Sequence, residues 1–265
     1  MTSTPVTLTK MHGLANDFLV GLDVEADETF ARRLCERHTG LGADGLIVSR
    51  RLGPHGPAFD FRLWNADGSR AEMSGNGMRC LAHVALDAGW IGEEQPFEVA
   101  TPAGIRRVSV QRRGDGVTWG EVDMGTVGLE DAAPVCNVGN GRMLVSVGNP
   151  HLVVLGPDPA GVDVGALGPM LERSVDGGVN VEFVTLGPDP DTVTMRVWER
   201  GVGETQACGT GSVAAAAAMH RWGRVGPAVT VNQPGGSVSV TLSADGAATL
   251  AGPSHKVATC MVSPW

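Results

Sequence analysis

Two short stretches carry a nucleophilic side chain directly ahead of a Gly-X-Gly turn. The first is Met73-Ser74-Gly75-Asn76-Gly77-Met78 and the second is Ala207-Cys208-Gly209-Thr210-Gly211-Ser212. Each runs into a helix-like segment, Arg79 to Leu86 in the first case and Val213 with five alanines to Met219 in the second. Glycines let the chain turn tightly, and the first turn of a helix leaves N–H groups without an intrahelical acceptor. Such a helix mouth binds anions and is expected to lower the pKa of a thiol placed there. Cys208 lies 134 positions after Ser74, the same separation as Trp64 to Trp198 and Arg62 to Arg196, and Asn16 to Asn149 differ by 133. That spacing points to a duplicated half of roughly 130 residues, too long a period for a solenoid. Two related domains could then face their helix mouths across a cleft. A carbon held beside a bound carboxylate would have one acid/base group on each side, the arrangement needed to invert a stereocentre. The N–H groups would stabilise the enolate-like charge that develops.

The elements that must position these groups alternate short strands with few helices. Strands are expected at Thr7 to Met11, through Phe18-Leu19-Val20, at Leu46 to Val48 and at Phe59 to Trp64. Asp27 reads as the N-cap of a helix carrying Phe30, Leu34 and His38 at helical spacing. The first Gly-X-Gly helix ends near Gly89. Further strands follow at Phe97 to Val99, Arg106 to Val110 and Val117 to Val122. The pattern then restarts with strands at Met143 to Val147 and His151 to Leu155, a short helix opened by Asp163, and strands at Val179 to Val184 and Thr192 to Trp198. After the second helix come strands at Ala228 to Val231, Ser237 to Leu242 and Ala247 to Leu250. The fold class is α/β of the α+β type. The expected halves are 1–130, carrying Ser74, and 131–265, carrying Cys208.

Composition narrows the function classes. The 265 residues are 42% apolar and 18% charged with a net charge of −9, so a basic surface for nucleic acid is not expected. The run from Val213 to Met219 is too short to span a bilayer, and Met1 to Pro5 lacks the make-up of a secretory signal. Cys35, Cys80, Cys136, Cys208 and Cys260 form no CxxC pair, so no zinc site or disulfide framework is expected and a reducing cytoplasm fits. Lys10 and Lys256 are the two lysines, so a pyridoxal enzyme would have to use one of them for its Schiff base, and no signal in the sequence supports this. Gly209 to Ala214 matches GxGxxA, but no Asp or Glu lies between Val225 and Val240 where a dinucleotide ribose would need one. Cys80, His12, Trp64 and Trp198 are expected to pack, Asp44 and Asp67 to form turns, and His151 stands evenly between packing and lining the site.

Several motifs together resemble the diaminopimelate epimerase family. They are Lys10-Met11-His12-Gly13-Leu14-Ala15-Asn16-Asp17-Phe18, Trp64-Asn65-Ala66-Asp67-Gly68-Ser69, the Ser74 turn with Arg79-Cys80, Gly148-Asn149-Pro150-His151, Val179-Asn180-Val181-Glu182-Phe183, and Trp198-Glu199-Arg200-Gly201 through Gly211. The resemblance runs in order from about residue 8 to residue 255. It implies a fold of two pseudo-symmetric domains, each a mostly antiparallel curved sheet around a central helix, with the last strand returning to the first domain. It implies pyridoxal-independent interconversion of LL- and meso-diaminopimelate, for lysine and peptidoglycan synthesis, with no cofactor and no metal. Cys208 and Ser74 take the places of the two proton-transfer residues. Gly75, Asn76, Gly209 and Thr210 match the helix mouths that hold the reacting carboxylate. Asn16, Asn65, Asn149, Asn180, Glu199 and Arg200 match the residues that grip the substrate's charged groups. A cytoplasmic homodimer is the expected assembly.

Ser74 departs from the family, which usually carries Cys there. A hydroxyl is a far weaker acid than a thiol, so Ser74 is a poor resting base. Three readings stay open: a native Ser working with the helix mouth, an engineered Cys→Ser change, or a one-base relative performing a different proton shift on another amino acid or acid. A non-catalytic amino-acid-binding protein is the reading from another class.

Overall fold

The computed structural model describes residues 5–53, 55–93, 95–114, 116–131 and 140–263. Cys136 lies outside the described residues. Among these residues no helix is long and apolar enough to cross a membrane. The chain divides into two compact units, Met1–Val122 with Gly252–Trp265, and Asp123–Ala251. The division falls at 122/123, and the last strand rejoins the first unit; the boundary expected between the halves was 130/131, with the last strand returning to the first.

The first unit opens with β1 (Val6–Gly13), β2 (Asn16–Leu22), α1 (Glu28–Cys35), β3 (Gly45–Ser49), β4 (Phe59–Asp60), β5 (Arg62–Asn65) and β6 (Arg70–Ala71). It continues with α2 (Gly75–Asp87), β7 (Phe97–Thr101), β8 (Gly104–Arg112) and β9 (Val117–Thr126). β1 pairs antiparallel with β2, β2 parallel with β3, and β3 antiparallel with β5. The stretch expected as one strand, Phe59 to Trp64, is interrupted at Phe61. Its first part pairs parallel with β7 and its second antiparallel with β3, so the chain changes partner there. α1 begins at its Asp27 cap, whose carboxylate accepts from Phe30 N at 2.8 Å. It stops before His38 because Glu36 turns extended and its carboxylate takes the His38 and Thr39 amides, competing with the next helical turn.

The second unit carries β10 (Gly128–Asp131), β11 (Gly141–Ser146), β12 (Pro150–Leu155), α3 (Val164–Glu172), β13 (Asn180–Leu186), β14 (Thr192–Glu199) and β15 (Gly203–Thr205). After these come α4 (Gly209–Arg221), β16 (Ala228–Gln233), β17 (Gly236–Leu242) and β18 (Ala247–Val262). β11 pairs antiparallel with β12, β12 parallel with β13, and β13 antiparallel with β14. This repeats the pairing of β1, β2, β3 and β5. β10 had no forecast from the sequence. A strand was expected at Ala247 to Leu250, with the last strand returning to the first domain; β18 does both as one strand of 16 residues, pairing first with β17 and then, from His255 to Val262, with β1. The Gly252-Pro253 pair reads as a stop, yet the ladder resumes because Pro lacks only a donor and the flanking residues stay extended.

Each unit buries one helix almost wholly. Gly75 to Leu86 are all buried in α2, and Gly209 to Met219 in α4. α4 is lined with alanine, and small residues all round let strands approach it closely. β3 is buried along its whole length, with Leu46 and Val48 in the cluster around α1 and Ile47 turned to α2. β13 follows the same rule. Val181 and Phe183 pack with Val164 and Leu171 of α3, and the residue between them, Glu182, turns to α4.

Candidate active site

Ser74 is the N-cap of α2 and Cys208 the N-cap of α4, both with extended backbone. Ser74 Oγ accepts from Gly77 N at 3.1 Å, and Cys208 Sγ accepts from Gly211 N at 3.3 Å. Each cap therefore satisfies the third amide of its helix. The first two amides, of Gly75 and Asn76 in α2 and of Gly209 and Thr210 in α4, have no acceptor within the helix. These are the positions the sequence nominated for holding a carboxylate. The turns need glycine for space: a Cβ on Gly77 would lie 2.9 Å from Ile47 Cδ1, and one on Gly211 2.8 Å from Glu182 Oε1.

In the first unit the structure joins Asn76 to Asn16. Asn76 Nδ2 donates to Asn16 Oδ1 at 3.2 Å, and Asn16 Nδ2 donates to Asp44 Oδ2 at 2.8 Å. Arg79 Nη2 donates to Asn76 Oδ1 at 2.8 Å. A donor-only guanidinium at one end and an acceptor-only carboxylate at the other set the direction of both amides. Asp44, expected only to shape a turn, thus also holds Asn16 and pairs with Arg37. Arg79 is fully buried, bonded to neutral oxygens of Gly75, Asn76 and Pro253, and burial lowers its pKa to about 10. Asn65 stands apart from this chain and donates to Ser69 Oγ at 3.0 Å. His12 stacks on His255 at 4.8 Å and its Nδ1 accepts from Ala15 N, a packing role as expected.

The second unit gathers Cys208, Glu199, Thr210, His151, Asn149 and Glu182. Cys208 is 5% exposed, its Sγ lies 3.5 Å from Thr210 Oγ1, and the charge of the Glu199 carboxylate acts on it. Thr205 Oγ1 donates to Glu199 Oε1 at 2.5 Å. His151 is fully buried, with Nδ1 2.7 Å from Glu182 Oε1 and Nε2 3.0 Å from Asn149 Oδ1. Asn180 accepts from Arg200 N at 3.0 Å and donates to Pro150 O, while the Arg200 guanidinium reaches Gly177 O at 3.1 Å. Asn180 and Arg200 are thereby tied to each other.

The electrostatics correct one expectation. The helix mouth does not lower the Cys208 pKa. Burial raises it well above the usual thiol value, and the carboxylates of Glu199 and Glu182 raise it further. The hydrogen bonds from Thr210 and Gly211 oppose this and lose. A few fixed dipoles cannot offset desolvation plus two nearby carboxylates. Glu199 is raised too, by burial first, against the hydrogen bond from Thr205. Burial thus shifts thiol and carboxylate in the same direction, upward.

Four contributors escaped the sequence reading: Glu182, Thr205, Gln233 and Arg79. Gln233 Oε1 accepts the backbone N–H of Cys208 at 2.8 Å and so anchors the cap. A lone charge inside an apolar run was the available signal for Glu182, between Val181 and Phe183, and for Arg79, between Met78 and Cys80. Gln233 and Thr205 offered none.

A capped, buried helix in each of two matching strand frames is a fold this chain shares with solved epimerase structures. The structure of a hydroxyproline epimerase from Agrobacterium vitis superposes with a TM-score of 0.76 at 17% identity, covering 97% of this chain and 92% of that one. Sequence similarity is more specific. The profile of the family described as diaminopimelate epimerase matches residues 8–129 and 143–257. The diaminopimelate epimerase of Corynebacterium glutamicum (strain ATCC 13032) is 40% identical over 275 residues, 96% of each chain. That of Desulforudis audaxviator is 40% identical over 273 residues, covering 94% of this chain and 96% of its own. This chain belongs to the diaminopimelate epimerase family.

Proposed function

We propose that the chain epimerises LL-diaminopimelate to meso-diaminopimelate by proton transfer at the α-carbon, with Cys208 and Ser74 serving opposite faces of that carbon. The observation that carries this reading is the buried thiol of Cys208 capping the α4 mouth, its Sγ accepting from Gly211 N, with the Glu199 carboxylate acting on it. A buried thiol with a carboxylate as proton acceptor can become a base when substrate arrives. The amides of Gly75 and Asn76, and of Gly209 and Thr210, are suited to the reacting carboxylate and to the charge it gains as the α-proton leaves. Arg200 suits a carboxylate, and Asn16, Asn65, Asn149 and Asn180 supply neutral donors and acceptors around the zwitterion. Glu199 serves as both proton acceptor and ammonium partner. No pyridoxal is invoked, since the N–H groups take the place of an electron sink. Each unit is one epimerase half, Ser74 is a native acid/base residue, and the enzyme works as a cytoplasmic homodimer.

Incubation of LL-diaminopimelate with the protein in deuterated water tests this. Deuterium at the α-carbon together with formation of the meso isomer is expected. Tight binding with neither outcome would leave a binding protein and sink the reading.

A further inference from the structure

The repeat is chemically lopsided in a way that singles out one buried residue. In the parallel pair of the first unit, Phe18 of β2 lies opposite Gly45 of β3, and Ile47 follows two positions on. In the matching pair of the second unit, His151 of β12 lies opposite Asn180 of β13, and Glu182 follows two positions on. The equivalence extends to the helices. Ile47 Cδ1 fills the space beside Gly77, and Glu182 Oε1 fills the space beside Gly211. Where the Ser74 half has Phe18 and Ile47, the Cys208 half has His151 and Glu182. All four are buried, and Ile47, His151 and Glu182 are fully so.

A carboxylate in that position is costly unless it is used, because burial without full hydrogen bonding forfeits its hydration. Glu182 Oε1 is engaged by His151 Nδ1 at 2.7 Å, while Oε2 has no hydrogen-bond partner among the described residues. The repeat shows that an apolar side chain packs well in the same niche. We propose that Glu182 is a positioning residue: by accepting the Nδ1–H of His151 it fixes the ring against the Asn149 side-chain amide, which can turn its Nδ2 to donate to Nε2, and this buried pair supports proton transfer at Cys208 while Ser74 works without one. The Cys208 proton passes to the Glu199 carboxylate, the thiolate takes the α-proton, Ser74 Oγ–H gives its proton to the other face of the carbanion, and solvent returns a proton to Ser74 as Glu199 releases its own; Glu182 and His151 exchange no proton with substrate. Their part is to hold Asn149 and the imidazole in one orientation through the cycle. The inference rests on the proposed epimerisation, since it assigns a role within that proton transfer.

Two measurements separate the inference from the reading beneath it. The first needs no substrate. In protein labelled with nitrogen-15 histidine, the His151 ring is expected to show an Nδ1–H signal shifted far downfield by its carboxylate partner, assigned by its loss in His151→Gln. Glu182→Gln is expected to abolish the shift and Glu182→Asp to retain part of it. An unshifted or absent signal in the parent overturns the pairing whatever the reaction. The second compares turnover of LL-diaminopimelate. Glu182→Gln is expected to lower kcat by about tenfold to a hundredfold with KM within about twofold, and Glu182→Asp to recover part of the loss. Equal kcat in the parent and Glu182→Gln, with the downfield signal gone, overturns the role. A parent that converts no substrate but shows the signal fails the epimerase reading while the pairing stands. If Glu182→Gln does not fold, Glu182→Asp and the parent spectrum carry the comparison.

Discussion

Nη2 of Arg79 lies 2.8 Å from Oδ1 of Asn76, three residues earlier on the same buried helix. Among the described residues the guanidinium donates to neutral oxygens, so a full positive charge stands behind the α2 mouth. Two opposing consequences follow for Arg79→Met. Removing a desolvated charge relieves a burial cost, so thermal stability is expected to hold within about 2 kcal/mol of the parent. Asn76 loses the donor that sets its direction, and the mouth loses its charge. KM for the substrate is expected to rise about tenfold, with Arg79→Lys closer to the parent. Steady-state kinetics with a melting curve checks both. An unchanged KM in a folded Arg79→Met would show that the mouth does not depend on Arg79.

Cys208 and Ser74 are expected to respond differently to truncation. Cys208→Ala should lower epimerisation by at least about a hundredfold. Ser74→Ala should also block formation of the second epimer but leave slow α-deuterium exchange with retention, because Cys208 still serves its own face. Normal epimerisation by Cys208→Ala would refute the assignment. Ser74→Cys, assayed beside the parent, measures how far a thiol improves on the hydroxyl, and a gain of several orders of magnitude would mark Ser74 as a substituted residue.

The thiols should rank by burial. Cys35 and Cys80 are buried and raised to about 12 by desolvation, and Cys208 is buried and raised as well. Cys260 is the more exposed of the described cysteines. Brief alkylation of the native protein near neutral pH, read by peptide mass spectrometry, is expected to label Cys260 ahead of these three. Mild oxidant is expected to form no link between positions 74 and 208, since one of them is a hydroxyl. Rapid labelling of Cys208 at neutral pH would contradict its buried, carboxylate-flanked setting.

Asp17 sets an acid limit to stability. Burial would raise its pKa, but the hydrogen bonds from Arg37 and Lys10 prevail and hold it at about 2, below its usual 3.8. A depressed carboxylate contributes stability that is fully present above the unfolded value and is lost as pH falls through the folded one. The contribution, up to about 2 kcal/mol, should therefore disappear between pH 3.8 and about 2. Denaturant titrations of the parent and Asp17→Asn should differ at pH 6 and converge near pH 2. A constant difference across that range would rule out the ion pairs as its source.

Much of this protein is determined by its sequence alone, because the signals are local. Gly-X-Gly behind a small nucleophile specifies a capped helix start wherever it occurs, and the Asp27 and Asp163 caps were readable for the same reason. The repeat was legible as a constant offset between Ser74 and Cys208, and the family as a set of ordered motifs. Partner exchange along strands was not. Phe59 to Asn65 splits, and β18 runs on past Pro253, because ladders are set by distant segments.

Only the tertiary structure decided the chemistry around the two caps. Ser74 and Cys208 occupy equivalent turns, yet the strand beneath one presents Ile47 and the strand beneath the other presents Glu182. Along the chain, Glu182 is one charge in an apolar strand. Strand alternation turns it toward α4, parallel pairing brings His151 to it, and burial with two carboxylates raises the Cys208 thiol that its helix mouth alone would have lowered. Desolvation and charge proximity depend on what lies across the fold, and no spacing within the sequence encodes them.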